Sequence, residues 1–466
     1  MIKKTTLLLF LCLFFNFLDA QNLEIWTTTS TGGTYNDGAL ISFEPSSGVL
    51  TTHVNFHDNN TVGAYPASNL TMGSNGKTYG VARAGGTYNE GVIFSYEMAT
   101  GAFTIVASFN GTNGSYPFKG MVEAPNGKFY GTTVNGGTNS IGVLFEFDPV
   151  TNIITKKYDF SMLSGYNSRS ALVLVNSSEI YGTTSNGGAN DDGVIFCYNF
   201  LTDTFTTKHE FDYTDGAIPQ GSLLKVGNSK IYGTCSSGGG NLGGVIYMYD
   251  TAYDTFSNVH DFVASSGYHS RAGLAIGGNN MLYGMTENGG TNNYGVLYAF
   301  NTVNNSYSVE YNFDGYYNGG WPYGVPTLDG TGKLYGTTTY GGASNAGTIF
   351  EFDTSTGVLT KLYDLTVQEG SHPRSKVLLI NSTPMNVANF DAPDITFYPN
   401  PASDKIHITS EDPLIALRIY DVQGKLLVEQ TSIINNTIST ASLATGLYLV
   451  SCKTTTKEVI KKIQIE

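Results

Sequence analysis

The sequence predicts an all-β protein: a seven-bladed β-propeller followed by a small Ig-like β-sandwich. Three observations predict this class. Gly-Gly pairs recur seven times at intervals of 51 to 53 residues, and a sustained period near fifty is typical of repeat architectures. Each repeat has four short apolar segments separated by turn residues. The two ends of the repeated region hold complementary parts of one repeat, as closure into a ring requires.

Composition narrows the class of ligand before any motif is considered. The chain has 466 residues with a formal net charge of −14, and only 13% of its residues are charged. This charge repels a phosphate backbone, so we expect no nucleic-acid partner. The 56 glycines and 31 tyrosines suit short strands joined by tight turns.

Residues 1–20 have the pattern of a secretory signal peptide. Lys3 and Lys4 precede an apolar run from Leu7 to Leu18, and a cut after Ala20 follows. Residues 21–466 contain no further apolar run of eighteen residues, so we expect no transmembrane helix. Cys12 lies inside the apolar run without a small residue before it, which argues against a lipoprotein anchor.

Residues 21–382 form the repeat array. In the last full copy, strand A holds Val325 and Leu328, and strands B, C and D are predicted at 333–338, 348–352 and 359–365. Strand C is apolar on nearly every residue, as in GVIFSY (91–96), which indicates cover on both faces. Strand B carries a glycine in its middle, where glycine usually marks a close backbone approach.

The ends of the array favour a closed ring over an open stack. The array begins at Leu23 to Thr29 with a strand B that has no strand A before it, and it ends at Pro373 to Ile380 with a strand A that has no strand B after it. The last strand is therefore expected to pair with the first blade and remove its free edge. A β-helix is the alternative, but its coils are usually shorter and need no complementary ends.

Residues 383–392 are predicted to be a linker, and residues 393–466 a separate domain without the repeat. Alternating segments at 405–409, 416–420, 426–429, 446–451 and 459–465 predict the strands of a small β-sandwich.

The repeat, with its Tyr-Gly-Thr-Thr, Gly-Gly and Gly-Val-Ile-Phe elements, resembles the GloVer-type tandem repeat of bacterial surface proteins. The resemblance covers about residues 23–382. It implies a secreted or surface-held protein and no particular reaction.

The tail resembles the C-terminal sorting domain of the type IX secretion system. The matching residues are Tyr398, Pro399, Asn400, Pro401, Asp421, Gly424, Lys425, Gly446, Tyr448 and Lys461. This resemblance implies that the secretion machinery is a partner, that the tail is removed, and that the protein is released from, or attached to, the surface of a Gram-negative cell.

The loops that join strand D to the next strand A carry their own repeated motif, for example GSYPFKGM (114–121) and GYHSRAGL (267–274). Aromatic residues of these loops are expected to form a sugar-binding ring on the face that also carries the Gly-Gly loops. They are Tyr65, Tyr116, Tyr166, Tyr268, Trp321 and His372. Arg169, Arg271 and Arg374 share one motif position, where they suit a carboxylate of an acidic glycan.

The alternative is that these residues only lock the loops and pack between blades, because the motif recurs in nearly every copy. Trp321, Tyr323, Tyr316 and Tyr317 break the repeat symmetry and are the best local candidates for binding.

We predict no cofactor and no metal site. The loop residues Asn36-Asp37, Asn89-Glu90 and Asp191-Asp192 have no counterparts with calcium-ligand spacing elsewhere and are interpreted as turn residues. His209 and His260 align with tyrosines and are interpreted as packing residues. Cys197, Cys235 and Cys452 are interpreted as small apolar fillers.

A glycosidase needs a pair of acids. The acids at or near the D–A loops are Asp58, Asp212, Asp215, Asp314 and Glu369.

Three functions remain open on the sequence. The first is a non-catalytic binding module for polysaccharide or surface protein, the second a structural or adhesion component of the surface, and the third a propeller glycoside hydrolase or lyase.

Overall fold

The computed structural model describes residues 22–59, 61–382, 395–398, 402–410, 413–420, 426–430, 436–441, 443–454 and 458–465. The chain divides into two compact units, Met1–Thr383 and Pro384–Glu466. The predicted signal peptide (1–20) and linker (383–392) lie outside the described residues.

The first half of the repeat array forms four antiparallel sheets. Sheet 1 begins with β1 to β3, sheet 2 holds β4 to β7, sheet 3 holds β8 to β12 and sheet 4 holds β13 to β16. Their bounds are β1 Asn22–Thr31, β2 Ala39–Glu44, β3 Val49–Asn55, β4 Thr71–Met72, β5 Thr78–Ala82, β6 Val92–Glu97, β7 Ala102–Ser108, β8 Ser115–Pro117, β9 Val122–Glu123, β10 Phe129–Asn135, β11 Val143–Asp148, β12 Ile153–Asp159, β13 Val173–Leu174, β14 Glu179–Thr184, β15 Val194–Asn199 and β16 Thr204–Glu210.

The second half forms three more sheets and then returns to the first. Sheet 5 holds β17 to β20, sheet 6 holds β21 to β24 and sheet 7 holds β25 to β28, while β29 and β30 pair with β1. Their bounds are β17 Leu224–Val226, β18 Lys230–Cys235, β19 Val245–Asp250, β20 Thr255–Asp261, a 3-10 turn at Ala264–Ser266, β21 Ala275–Ile276, β22 Met281–Met285, β23 Val296–Asn301, β24 Tyr307–Asn312, β25 Thr327–Leu328, β26 Lys333–Thr338, β27 Thr348–Asp353, β28 Val358–Asp364, β29 Ser371–Pro373 and β30 Leu378–Ser382. The predicted all-β class and the seven sheets of four strand positions are confirmed.

The order of strands follows the chain in sheet 2 and in sheets 4 to 7. In sheet 7 the short β25 pairs with β26, β26 with β27 and β27 with β28. The short first strands β9, β13, β17, β21 and β25 contact one another from sheet to sheet, which places them innermost. The fourth strands are the most exposed, and the third strands are buried on both faces, as their apolar sequences predict.

The mid-strand glycines are required by an aromatic ring on the next strand. Gly80 lies opposite Phe94, and a Cβ atom at Gly80 would lie 2.3 Å from the ring. The glycines of sheets 3 to 7 face rings in the same way, with corresponding distances of 2.3 to 2.5 Å. Sheet 1 has neither the glycine nor the aromatic ring, because Thr27 stands opposite Ile41 at these two positions. The glycine and the ring therefore form one complementary pair, which copy 1 replaces with another pair.

Each sheet shares an apolar core with the next, and the series closes on itself. Sheets 1 and 2 share one cluster through Phe56 and Phe94, and the later sheets follow in order. Sheets 7 and 1 share the last cluster, in which Ile25 and Phe43 pack with Tyr335 and Ile349. The strand after sheet 7 also joins sheet 1, since Ile25 pairs with Leu379.

The second unit contains two antiparallel sheets that share one core. One sheet has the order β31, β32, β35 and the other β34, β33, β36, β37. Apolar residues of both sheets, including Ile406, Ile438, Leu417, Val450 and Ile463, form a single cluster. The bounds are β31 Ile395–Tyr398, β32 Lys405–Ser410, β33 Leu414–Tyr420, β34 Leu426–Gln430, β35 Thr437–Ser439, β36 Gly446–Thr454 and β37 Glu458–Ile465. The sequence predicts five of these strands and misses β31 and β35.

Candidate functional site

The loops that precede each innermost strand and the Gly-Gly loops lie on one face of the array, called the loop face. The second glycine of each pair donates its backbone N–H to a carbonyl of the preceding D–A loop, as in Gly137 to Gly111 at 2.7 Å and Gly342 to Tyr316 at 2.7 Å. Gly33 does the same across the closure, to Val367 at 2.8 Å. These seven contacts hold the two sets of loops together.

The third residue of every D–A loop motif has a left-handed backbone. The seven residues have φ between 51° and 59°, and none is a glycine: they are Tyr65, Tyr116, Asn167, Ile218, His269, Trp321 and His372. Non-glycine residues rarely adopt this conformation, and it persists only where surrounding contacts require it. The N–H of Trp321 donates to Tyr294 of the preceding sheet at 2.9 Å, and that of Ile218 to Asp192 at 3.0 Å. The loop backbone is thereby anchored to the neighbouring sheet.

This turn sets the direction of the residues that follow. The fourth and sixth motif residues are mostly small and buried; Ser168 Oγ, for example, donates to the Thr183 carbonyl at 2.8 Å. The fifth residue alternates with them and faces away from the strands. In sheet order, starting from sheet 1, the fifth residues are Arg374, Ala67, Phe118, Arg169, Gln220, Arg271 and Tyr323.

Six of these seven residues line one small pocket, which we call the arginine pocket. It is a cavity of about 80 Å³ lined by Phe118, Lys119, Arg169, Gln220, Arg271, Tyr323 and Arg374. Residues from six sheets therefore line the same pocket on the loop face. The three arginines that share a motif position in the sequence are brought together here.

Aromatic rings hold the guanidinium groups of the pocket. Arg374 lies 5.0 Å from the centroid of Tyr323, and Arg271 lies 5.8 Å from the same ring. Arg169 lies 5.5 Å from the centroid of Phe118. Stacking on a ring face stabilises a cation and limits its rotation.

One carboxylate, that of Glu287, contacts two residues of the pocket lining. Glu287 lies 3.1 Å from Arg271 Nε and accepts a 2.5 Å hydrogen bond from the Tyr323 hydroxyl. Burial, followed by this hydrogen bond, raises the pKa of Tyr323 to about 12. Tyr323 is therefore a hydrogen-bond donor at neutral pH and a poor base.

The side chain of Lys119 extends from sheet 3 to sheet 1. Its Nζ donates to the Arg374 carbonyl at 3.3 Å, and the fifth motif residue of the intervening sheet is the small Ala67. Burial, followed by the charges of Arg374 and Arg83, lowers the pKa of Lys119 to about 8. The cations of the pocket outnumber the one neighbouring carboxylate. The pocket is therefore positively charged, although the protein as a whole is acidic.

A larger open cavity, the tyrosine groove, lies beside the pocket and shares Arg374 with it. Its volume is about 560 Å³, and its lining includes Ser30, Thr31, Tyr65, Arg83, Ala84, Tyr116, Tyr340, His372 and Arg374. Arg83 organises it: Nη1 donates to the Tyr116 hydroxyl at 3.0 Å and Nε to the Tyr65 carbonyl at 3.0 Å. Burial, followed by the charge of Arg374, lowers the pKa of His372.

The structure separates the remaining aromatic candidates. Trp321 is half-buried and packs edge-on between Tyr294 and Tyr340, with centroids 4.7 and 5.6 Å away. Tyr316 and Tyr317 are exposed on the same loop, outside the linings of both cavities, and Tyr317 lies 3.6 Å from Lys361 Nζ.

Tyr166 and Tyr268 differ from the expected ring of aromatic residues. They occupy the second motif position, one residue before the left-handed turn, where each donates its backbone N–H to the next sheet. The Tyr268 hydroxyl contacts Asn293 at 3.4 Å. Four of the six predicted rings share the left-handed position, and three of these line the tyrosine groove: Tyr65, Tyr116 and His372.

Three site residues were missed at the sequence level although a signal was present. Arg83 and Glu287 are the only charged residues at the repeat position that otherwise holds Ser30, Val134, Ser185, Ser236 and Thr339. Lys119 occupies a position that otherwise holds serine, glycine or alanine. Comparing each repeat position for its exceptional member would have found all three.

The loops interpreted as turns use their polar side chains within the loop. Asn36, Asn89 and Asp191 have left-handed backbones, and each accepts the first Gly-Gly N–H at 2.7 to 3.1 Å. Among the described residues, no cluster of three or more His, Cys, Asp or Glu side chains has the geometry to hold a metal ion.

The histidines and acids singled out in the sequence also have local partners. His209 stacks on Phe256 and contacts Asp215 at 2.8 Å, and His260 stacks on Tyr307. Asp212, Asp314 and Glu369 accept hydrogen bonds from their own loops, and Asp58 donates its N–H to Asp37. Cys197, Cys235 and Cys452 are buried. None of the five acids lines either described cavity.

Part of the sorting motif can be placed in the second unit. Tyr398 stacks on His407, and the Tyr448 hydroxyl donates to the Ala444 carbonyl at 2.8 Å. Gly446 begins β36, and Lys461 pairs with Val450 in the β36–β37 ladder. Pro399, Asn400, Pro401, Asp421, Gly424 and Lys425 lie outside the described residues.

Two family models match the chain. The model described as Gloeobacter/Verrucomicrobia repeat matches residues 16–127, 68–278 and 229–383. The model described as secretion system C-terminal sorting domain matches residues 396–466. No match is found among curated proteins.

Solved structures show the kind of fold. A candidate 6-phosphogluconolactonase from Bacteroides uniformis is 13% identical over 77% of this chain and 100% of that one, with a TM-score of 0.51. A quinoprotein alcohol dehydrogenase-like protein from Bacteroides thetaiotaomicron is 12% identical over 77% of this chain and 78% of that one, also at 0.51. TolB from Acinetobacter baumannii is 14% identical over 61% of this chain and 62% of its own, at 0.40. The first two similarities show a propeller-like fold. No helix among the described residues has the length and apolar character to span a bilayer.

Proposed function

Because the chain belongs to the Gloeobacter/Verrucomicrobia repeat family and ends in a secretion system C-terminal sorting domain, we propose that it is a seven-bladed β-propeller that binds polysaccharide outside the cell. The sorting domain indicates secretion or attachment at the surface of a Gram-negative bacterium, with the secretion machinery as a partner. The ligand, its binding face and the Ig-like sandwich of the tail are parts of this proposal.

The observation that supports a binding role is that the arginine pocket and the tyrosine groove lie side by side on the loop face. The tyrosine groove offers Tyr65 and Tyr116 beside Arg83, and it is open to solvent along its length. Sugar rings pack their C–H faces on aromatic rings while charged and hydroxyl groups fix their orientation. A site assembled from several sheets, at positions that depart from the repeat, supports selection of a ligand over a purely structural role.

The chemistry of the site favours binding over cleavage. A glycosidase needs two carboxyl groups about 5 to 10 Å apart across the bond. The described lining of the arginine pocket contains no acid, and the neighbouring Glu287 is engaged by Arg271 and Tyr323. A lyase needs a base, and the raised pKa of Tyr323 opposes that role. A surface protein is the alternative ligand, and a structural or adhesion role is the alternative function.

The test of the binding role is a glycan array, with affinities for its hits measured on the mature protein. Tyr116→Ala is expected to weaken binding about tenfold, because roughly 1.4 kcal/mol of stacking and hydrogen bonding is lost. Tyr253→Ala serves as the matched control, since Tyr253 is an exposed tyrosine in the turn between β19 and β20. No binding to any glycan at high protein concentration would leave the protein-binding and structural alternatives.

Passage across the outer membrane is expected to depend on the tail. Deleting residues 393–466 should leave the protein inside the outer membrane, while the repeat array, which has its own closed core, stays folded. Cell fractionation with surface protease digestion measures the location. Surface exposure of the truncated protein would contradict the role assigned to the tail.

A further inference from the structure

We propose that the arginine pocket is the subsite for the carboxylate of a uronic acid residue, and that the tyrosine groove holds the neighbouring sugars of the same chain. This inference rests on the proposed polysaccharide binding and names the class of sugar. It assigns the pocket a charge requirement that a neutral polysaccharide does not meet.

The charge balance of the site is the first argument. Five cations surround the pocket and the adjoining groove: Arg83, Lys119, Arg169, Arg271 and Arg374. Among the described residues, their one ion pair with a carboxylate within 4 Å is that of Arg271 with Glu287. Burial first, and then the nearby Arg271 and Arg83 charges, lower the pKa of Arg169. Like charges at this density repel one another, and a bound anion reduces that repulsion. The whole chain carries a net charge of −14, so this concentration of cations is local.

Unused donors are the second argument. Arg374 Nε is buried and has no hydrogen-bond partner among the described residues. A buried donor without a partner costs free energy, so it marks a place where a ligand oxygen is favoured. The stacking of Arg374 on Tyr323 and of Arg169 on Phe118 already fixes the planes of both forks. A ligand therefore meets donors that lose little freedom on binding.

Pocket size and shape are the third argument. The pocket, at about 80 Å³, is several times smaller than the adjoining groove of about 560 Å³, so the smaller cavity is assigned to the charged group and the larger one to the sugar rings. A carboxylate is planar and matches the guanidinium fork with two parallel hydrogen bonds. The rings of the sugar chain then fall in the groove of about 560 Å³, which begins at the shared Arg374. A uronate joins these two parts, since its carboxylate is attached directly to a sugar ring.

Lys119 makes the binding of this anion depend on pH. Its pKa is lowered to about 8, chiefly by burial, so Lys119 loses its charge as pH rises through that value. The charged form attracts the carboxylate, so affinity is highest below pH 8 and falls above it. Arg83, Arg271, Arg374 and Glu287 are the charged groups around it.

Calorimetry on the protein of residues 21–466, which keeps the tail, tests the inference, with trimers of galacturonate, glucuronate, mannuronate and guluronate as probes. Methyl-esterified trimers and sulfated neutral trimers are the comparison ligands. At least one uronate trimer should bind, and its methyl ester should bind about 30-fold or more weakly, since a charged hydrogen-bond pair contributes about 2 kcal/mol or more.

Variants locate the charge requirement. Arg374→Gln and Arg169→Gln should each weaken the uronate about tenfold or more, whereas Arg418→Gln, the matched change at the arginine of the second unit, should leave affinity unchanged. Affinity of the parent should fall between pH 7 and 9.5, and Lys119→Met should remove that pH dependence. Circular dichroism checks each variant, and Arg374→Lys, which keeps the charge but not the fork, provides a second test of the same site.

The possible outcomes distinguish failure of the carboxylate subsite from failure of polysaccharide binding itself. Equal binding of the uronate and its methyl ester overturns the carboxylate subsite and leaves polysaccharide binding in place. Preference for the sulfated trimer also overturns it, in favour of sulfate as the anion. Failure of all oligosaccharides, charged and neutral, overturns the proposed function itself.

Discussion

Replacing Val377 with aspartate is expected to unfold the repeat array. Val377 is 1% exposed and lies in the cluster that joins sheet 7 to sheet 1, against Ile25 and Tyr335. An unpaired carboxylate there would lose its hydration and break the packing at the closure. The expected loss in the free energy of unfolding is about 4 kcal/mol or more, at the high end for single substitutions.

Thermal unfolding followed by circular dichroism measures this loss, together with limited proteolysis of the first and last sheets. Val358→Asp is the matched control, because Val358 begins the outer strand β28 and is 56% exposed. It should change stability by less than about 0.5 kcal/mol. If both variants melt like the parent, the contact between sheets 7 and 1 does not hold the array closed.

Replacing Gly80 with alanine is expected to destabilise the array by about 1–3 kcal/mol, the usual cost of overpacking a core. The new Cβ atom would lie 2.3 Å from the Phe94 ring, a distance that requires the ring or the strand to move. The loss of backbone freedom in the unfolded chain offsets less than about 1 kcal/mol of this. Denaturant unfolding measures the difference, and Gly278→Ala is the control, because a Cβ atom there meets nothing within 4 Å.

A double variant tests the physical reason. Gly80→Ala with Phe94→Ile approximates the pair that sheet 1 already uses, Thr27 opposite Ile41. It should be more stable than the sum of the two single changes predicts, because residues in contact do not act additively. Strict additivity would show that the ring and the glycine do not constrain one another.

The site illustrates where prediction from the sequence stops. The shared motif position of Arg169, Arg271 and Arg374 was visible, and the structure brings these residues into one pocket. The aromatic candidates were less well predicted, because Tyr166 and Tyr268 lie one position before the turn and Trp321 packs between two tyrosines. Counting aromatic residues within a loop does not tell which side of the turn each one occupies.

The sequence by itself determined the all-β class, the seven repeats with their four strand positions, and the exported tail. These follow from local rules, since apolar runs, glycines and turn residues repeat at a fixed period and each acts on its immediate neighbours. The complementary ends of the array likewise predicted the pairing of the last strands with β1.

Only the tertiary structure decided how the loop face is built. The left-handed residues include tyrosine, isoleucine and tryptophan, which have no local preference for that conformation. Hydrogen bonds from the preceding sheet hold them there, and those bonds exist only once the sheets pack side by side. The same packing brings Lys119 of sheet 3 to Arg374 of sheet 1 and Glu287 of sheet 6 to Tyr323 of sheet 7, so the charge of the pocket belongs to the assembled ring.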